Sequence, residues 1–323
     1  GACKVSGLAV AAIPMAAALL RGLPPMPRSR AAIATALRDV RPLAADLGVV
    51  VAATLVAFRL LEPYAFDGVL SIDPRWWGAL RDLGEVQAGL DFPPNVQWAD
   101  RVPFLEPFGH VVRFGFGLPA TFLALAGLGA VLGRGRWRRP SAEWLVIGWI
   151  VLLAALQLPR FVASMRYALP ALPAASVLAG IGVVALWRRP GVGRAAGAIA
   201  MAGCVLWAGA FVDGVYRRPN PRLAAAAWLA DEAPAGATMS TNLWDDALPL
   251  AVTDRTDIAT VELDPFGVAD PDTARQLVAA LDDVDYVVES SDRVTGSVGR
   301  VPARYGTLLR YHAALDDGTL GFE

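Results

Sequence analysis

Six long apolar runs divide the first two thirds of the chain, at residues 3–20, 43–61, 114–133, 143–158, 168–187 and 195–213. A helix of about 20 apolar residues crosses the hydrocarbon of a bilayer. The pattern therefore predicts about six transmembrane helices within 1–213, the run at 143–158 being short. Between the second and third runs, 62–112 is polar and aromatic. There Asp73-Pro74 marks a helix start, a carboxylate to cap free amides and a proline where no donor is needed. Trp76, Trp77, Leu80 and Leu83 follow at spacings of three and four. They give an amphipathic helix at headgroup level, either lying on lipid or packed on the membrane domain.

From Asn220 the pattern turns to the alternation of a water-soluble α/β fold. Asn220-Pro221 opens a helix to about Glu232, and "ATMST" and "DIATVEL" read as strands. Asp270 caps a helix over 271–281, "VDYVVES" reads as a buried strand, and "PARYGTLLRYHAAL" as a last helix. The expected fold is thus an α-helical polytopic membrane domain, 1–213 with a long loop 62–112, followed by a small α/β domain, 214–323.

Composition agrees: 55% of residues are hydrophobic and 18% charged, against about a quarter charged in soluble domains. Charge is unevenly spread. Residues from Gly214 onward hold 18 carboxylates and nine arginines. Arginines cluster at 21–41, 134–139 and 188–194, in alternate connections. By the positive-inside rule these face the cytoplasm, which leaves 62–112, 159–167 and 214–323 outside. The stretch 28–41 is either an amphipathic helix on anionic lipid or a basic linker. Cys3 and Cys204 both fall in apolar runs, which excludes a disulfide framework or a cysteine metal site. No nucleotide-binding, serine-hydrolase or zinc-protease motif is present, and no nucleic-acid partner is expected. Gly1 opens inside an apolar run, and "DDGTLGFE" stops where a strand would begin. The expectation is a sequence truncated at both ends, against a signal peptide with Lys4 as its basic region.

Candidate chemistry gathers on the outer side. In "DFPPNVQWADRVPF", residues 91–104, the amides of Asn95 and Gln97 match sugar hydroxyls, which also donate and accept. Trp98 offers a flat face to a sugar ring, and Asp100 and Arg101 pair with a ligand or with each other. The alternative is a packed cap whose groups satisfy one another. Arg160 and Arg166 flank a short loop, and Arg166-Tyr167 leads into a run holding Pro170 and Pro173. A planar guanidinium grips two phosphate oxygens at the depth where a lipid headgroup sits. Trp244, Asp245 and Asp246 follow a predicted strand, where α/β domains bind ligands. The two carboxylates would serve a ligand or divalent cation, or cap a helix "DALPLAV"; two oxygens alone are a poor metal site. His110 and His312 stand isolated and read as structural.

"ACKVSGL" entering a run, "DPRWW" and "FPPNVQW" in the long loop, "RYALPALP" entering a later run, and "AAAWLADEAPAGATMSTNLWDDALPL" resemble bacterial members of the dolichyl-phosphate-mannose protein mannosyltransferase family. "DYVVESSDRVTGSVGRVPARYGTLLRYHAALDDGTLGFE" is similar to the end of the same GT-C proteins. The resemblance implies an inverting transfer of a sugar from a polyprenyl-phosphate donor to an acceptor outside the membrane. It implies a carboxylate base in an outer loop upstream of Gly1, with no counterpart here. It also implies that Arg166 and Tyr167 contact the leaving phosphate, with Gln97, Trp98 and Arg101 as a roof. No resident cofactor is expected, and metal dependence stays open. A transporter or flippase, or a membrane-anchored module binding an envelope polymer, are the competing classes.

Overall fold

The computed structural model describes residues 12–22, 40–69, 71–86, 88–89, 93–133 and 142–322. Cys3, Lys4, most of the basic stretch 28–41 and the arginines of 134–139 lie outside them. The chain forms two compact units, one of Gly1–Ala88 with Val102–Ala208, the other of Gly89–Arg101 with Gly209–Glu323.

The first unit is helical. Its elements are α1 (Ala12–Gly22), α2 (Val40–Leu61), α3 (Pro74–Val86), α4 (Leu105–His110), α5 (Leu118–Gly133), α6 (Ala142–Gln157), α7 (Leu172–Trp187) and α8 (Val192–Val212), the last running on past the unit boundary. A helix thus stands in the described part of each of the six apolar runs. Three stretches, Leu43–Leu61, Met165–Trp187 and one opening at Val192, are long and apolar enough to cross a membrane. A bent pair makes a fourth if counted as one span. Large apolar side chains point outward, Leu60 at 72% exposure and Leu206 at 74%. Such surfaces need lipid around them, which is the make-up of a membrane protein.

The expected straight helix over 114–133 is broken. Leu105–Phe116 and Leu118–Gly133 meet at 109°. Gly117 makes the corner at φ +88°, a left-handed conformation that glycine adopts without strain. A side chain there would meet the Trp207 ring at 2.9 Å. Asp73 caps α3 as expected, accepting from the Arg75 amide at 2.8 Å and from its guanidinium. These bonds hold the Asp73 carboxyl below the usual carboxylate range. Trp76 packs edge-on against Phe58, while Trp77 is half exposed.

Between α5 and α7 the packing is backbone on backbone. A Cβ at Gly127 would stand 1.9 Å from the Leu178 carbonyl oxygen, and one at Gly182 would stand 2.0 Å from that of Leu123. Lipid gives two helices no hydrophobic reason to meet, so association rests on close van der Waals approach through small residues.

The second unit is α/β. A 3₁₀ turn (Pro93–Trp98) is followed in sequence, beyond the first unit, by α9 (Pro221–Glu232), β1 (Thr238–Asn242), β2 (Ala259–Leu263), α10 (Pro271–Asp282), α11 (Thr295–Val298) and α12 (Pro302–Asp316). Asn220 caps α9 through the Arg222 amide and Asp270 caps α10 through the Thr273 amide, both as read from sequence. β1 and β2 pair in parallel, Thr238 opposite Ala259 through Asn242 opposite Leu263. The strand expected at "VDYVVES" is reduced to one parallel bridge, Met239 to Tyr286. The Ser240 hydroxyl accepts from the Val288 amide where a backbone carbonyl would continue the ladder. The chain end folds as a turn after α12, with Gly318 at φ +73°, rather than opening a strand.

Two cores hold this unit. Ala226, Leu229, Ala233, Ala237, Met239 and Leu248 join α9 to the sheet. Val294, Val298, Tyr305 and Leu308 form the other, and its fifth member is Val96, fully buried. The loop 89–101 is therefore part of the α/β unit. Asn95 Nδ2 donates to the Gly89 carbonyl at 2.9 Å, and Arg300 donates to the Ala99 carbonyl at 3.2 Å. Beside this core His312 Nδ1 donates to Glu289 at 2.7 Å. Burial, with the Glu289 charge adding, pushes the Tyr311 hydroxyl up to about 12.

Gly127→Ala is expected to force α5 and α7 apart and destabilise the chain by about 1–3 kcal/mol, read as a fall in thermal unfolding temperature in detergent. Val96→Ala is expected to cost about 1–3 kcal/mol through a cavity in the α/β core, read by denaturant unfolding. The same change at exposed Val102 should cost little.

Candidate functional site

In the membrane unit, two prolines shape the surface that carries the arginines. Pro170 and Pro173 lack amide donors, so residues 165–171 take a 3₁₀ form before α7 begins. The Trp149 indole donates to the Pro170 carbonyl at 2.9 Å and ties that segment to α6. Arg166 and Tyr167 therefore stand at one end of a stretch able to span a membrane. Arg166 is exposed, its guanidinium 5.3 Å from the centre of the Tyr167 ring and its Nη2 3.4 Å from the phenol oxygen. The ring face thus receives a cation. Arg160, also exposed, lies on the loop after α6.

Behind these groups runs a narrow cleft lined by Pro107, Val111, Gln157, Ser164 and Tyr167, with about 10 Å³ of free space. Gln157 Oε1 is buried there and has no hydrogen-bond partner among the described residues. The space and the orphaned acceptor suit a single water. Gln157 escaped the reading of the sequence, where its one sign is a lone amide ending an apolar run.

In the α/β unit the loop after β1 displays a tryptophan. Trp244 has φ +68°, a left-handed conformation that costs a non-glycine residue roughly 1–2 kcal/mol. Its side chain is 45% exposed. Buried polar bonds behind it hold this arrangement. The Asp245 carboxylate is 1% exposed, accepts from the Ser291 hydroxyl at 2.9 and 3.0 Å, and faces Arg222 at 3.6 Å. Arg222 also reaches Asp246 at 3.3 Å, and Arg293 donates to the Trp244 carbonyl at 2.6 Å. Asp245 and Asp246 are thus engaged by guanidinium and hydroxyl groups. The helix they were expected to cap does not form; 245–249 are irregular before a short 3₁₀ turn. Among the described residues no group of three or more His, Cys, Asp or Glu side chains is placed to hold a metal. Arg222, Ser291 and Arg293 lie 23 to 49 positions away from the residues they serve, and no local motif announced them.

The other predicted residues divide by exposure. Asn95 is buried and spends its amide on Gly89. Gln97 is exposed, with Nε2 on the Pro94 carbonyl at 2.8 Å. Trp98 and Arg101 are half-buried. Asn95, Gln97, Trp98 and Arg101 share a unit with Trp244, Asp245 and Asp246, while Arg160, Arg166 and Tyr167 belong to the other. Comparison of the chain with protein families, characterised proteins and solved structures finds no match.

Trp244→Ala is expected to cost under about 1 kcal/mol, as for an exposed residue. Asp245→Ala is expected to cost about 2–3 kcal/mol by stranding Ser291 and Arg222. Equal losses in denaturant unfolding would mean that Trp244 packs rather than being displayed.

Proposed function

We propose that the chain is part of an inverting membrane glycosyltransferase that moves a sugar from a polyprenyl-phosphate donor to an acceptor outside the membrane. The observation that supports this most directly is the exposed Arg166 beside Tyr167 at the end of an apolar span, with exposed Arg160 on the same loop. Guanidinium groups at that depth suit a lipid-linked phosphate, binding two of its oxygens with charge-assisted bonds. In this reading six helices span the bilayer, and the arginine-rich connections face the cytoplasm. The loop 62–112 and the α/β unit then face outward.

The chemistry follows from charge. A carboxylate base, assigned to no residue of this chain, takes the proton of the acceptor hydroxyl. The hydroxyl oxygen attacks the anomeric carbon as the bond from that carbon to the phosphate oxygen breaks. Negative charge grows on the departing phosphate, and Arg166 with Arg160 offsets it more in the transition state than in the bound donor. Trp244, exposed on its fixed loop, offers a flat apolar face to a sugar ring, as does Trp98 where it reaches the surface. The family resemblance in "RYALPALP" and "NLWDDALPL" points the same way.

The test is binding of polyprenyl phosphate to the chain in lipid nanodiscs, followed by native mass spectrometry. Arg166→Ala is expected to weaken binding about tenfold or more, the worth of one charged hydrogen bond. Arg166→Lys should recover part of it. Binding unchanged in both variants overturns the phosphate role. Movement of the lipid across the bilayer without sugar transfer from a labelled donor would favour a flippase instead.

A further inference from the structure

We propose that Leu105–Phe116, α4 with its π-helical continuation, is an interfacial helix that lies in the plane of the bilayer, covered by lipid of the leaflet in which Arg166 stands. The direction comes from the bend at Gly117, where this element meets α5 at 109°. α5 packs backbone to backbone against α7, and Met165–Trp187, which contains α7, is long and apolar enough to cross a membrane. A helix set nearly square to α5 therefore runs along the membrane surface, not through it.

Depth follows from length. α5 has 16 residues and rises about 24 Å, while the hydrocarbon of a bilayer is about 30 Å thick. The shortfall of about 6 Å is less than the diameter of a helix, about 10 Å. An element lying across the Leu118 end of α5 is thus set partly within the acyl region. Interfacial helices bury their apolar side about 5–10 Å into that boundary.

The side chains divide accordingly. Toward the protein, Pro107 is buried, and the Phe104 amide donates to the Leu158 carbonyl at 3.3 Å. A Cβ at Gly115 would stand 3.2 Å from Met165 Sδ, and Trp207 closes over the corner at Gly117. Away from the protein, Leu105 is 69% exposed and Phe114 64%, with Phe104 and Phe108 also exposed. Past the corner, Leu118, Phe122 and Leu125 carry the exposed apolar surface along α5, so the lipid that covers α5 meets this element too. Water does not favour so large an apolar surface. Arg113 and His110 are exposed beside these groups, and a guanidinium on its long stem reaches headgroups from this depth. Seated in this way, the element also fixes the depth of Arg166, because Gly115 rests on Met165, its neighbour in sequence.

The inference requires α5 to cross the bilayer and is independent of sugar transfer, so loss of the phosphate reading would leave its signature unmoved. The test is spin labelling of the full chain in nanodiscs of zwitterionic lipid. Cys3 and Cys204 are replaced by alanine, and single labels are placed through Leu105→Cys, Phe108→Cys or Phe114→Cys. Collision with oxygen, which dissolves in lipid, against collision with a water-soluble nickel chelate gives the depth of each label. All three are expected to favour oxygen and to lie within about 5 Å of one depth. An element continuing α5 through the membrane would separate Leu105 from Phe114 by about 10 Å or more, and that gradient overturns the proposal. So does greater access to nickel, which places the element in water, or shielding from both reagents, which means a protein partner such as a second copy. All three positions are exposed, so the labels displace no core side chain, and two remain if one variant misfolds.

Discussion

The α/β unit depends on one insertion, the side chain of Val96 into the core of Val294, Val298, Tyr305 and Leu308. A fully buried valine contributes roughly 1.5–3 kcal/mol, and it comes from a segment more than a hundred residues before the rest of its unit. The prolines at 93 and 94 stiffen the approach, Asn95 ties back to Gly89, and Arg300 holds the Ala99 carbonyl. The segment that looked in sequence like a sugar-facing loop is therefore first a structural strap. What it leaves at the surface is Gln97 and Asp100, with Trp98 and Arg101 half-buried.

A different rule governs the membrane unit. There the solvent is apolar, so closeness rather than greasiness decides which helices pair. Gly127 and Gly182 each admit the other helix's backbone carbonyl, a reciprocity that fixes both the depth and the register of α5 against α7. α7 is the helix that Met165–Ala171 leads into, so this contact also positions the segment bearing Arg166 and Tyr167. The Trp149 bond to Pro170 supports the same segment from α6. A rigid frame and an exposed cation meet at one point.

The loop after β1 follows a comparable logic in water. A left-handed tryptophan is an unfavourable choice for an exposed turn unless something holds it there. Asp245, Arg222, Ser291 and Arg293 do so from behind, and the carboxylate at their centre is almost wholly buried. Asp245, a candidate ligand in the sequence, is here a buried acceptor for Ser291 facing Arg222, while Asp246 and Trp244 keep much of their surface exposed.

Apolar length, proline placement and capping chemistry were enough to set the helical positions among the described residues, β1, β2 and the starts of α3, α9 and α10. Each of these is decided within a few residues: an apolar run seeks lipid or a core, and Asp73, Asn220 and Asp270 cap the amides next to them. The break at Gly117, the docking of Val96, the loss of the third strand to the Ser240 hydroxyl, and the partners of Asp245 were decided only in three dimensions. All four depend on contacts between residues distant in sequence. Local pattern carries no information about which distant group will arrive, because packing and hydrogen bonding are settled by the whole set of surfaces competing for each other.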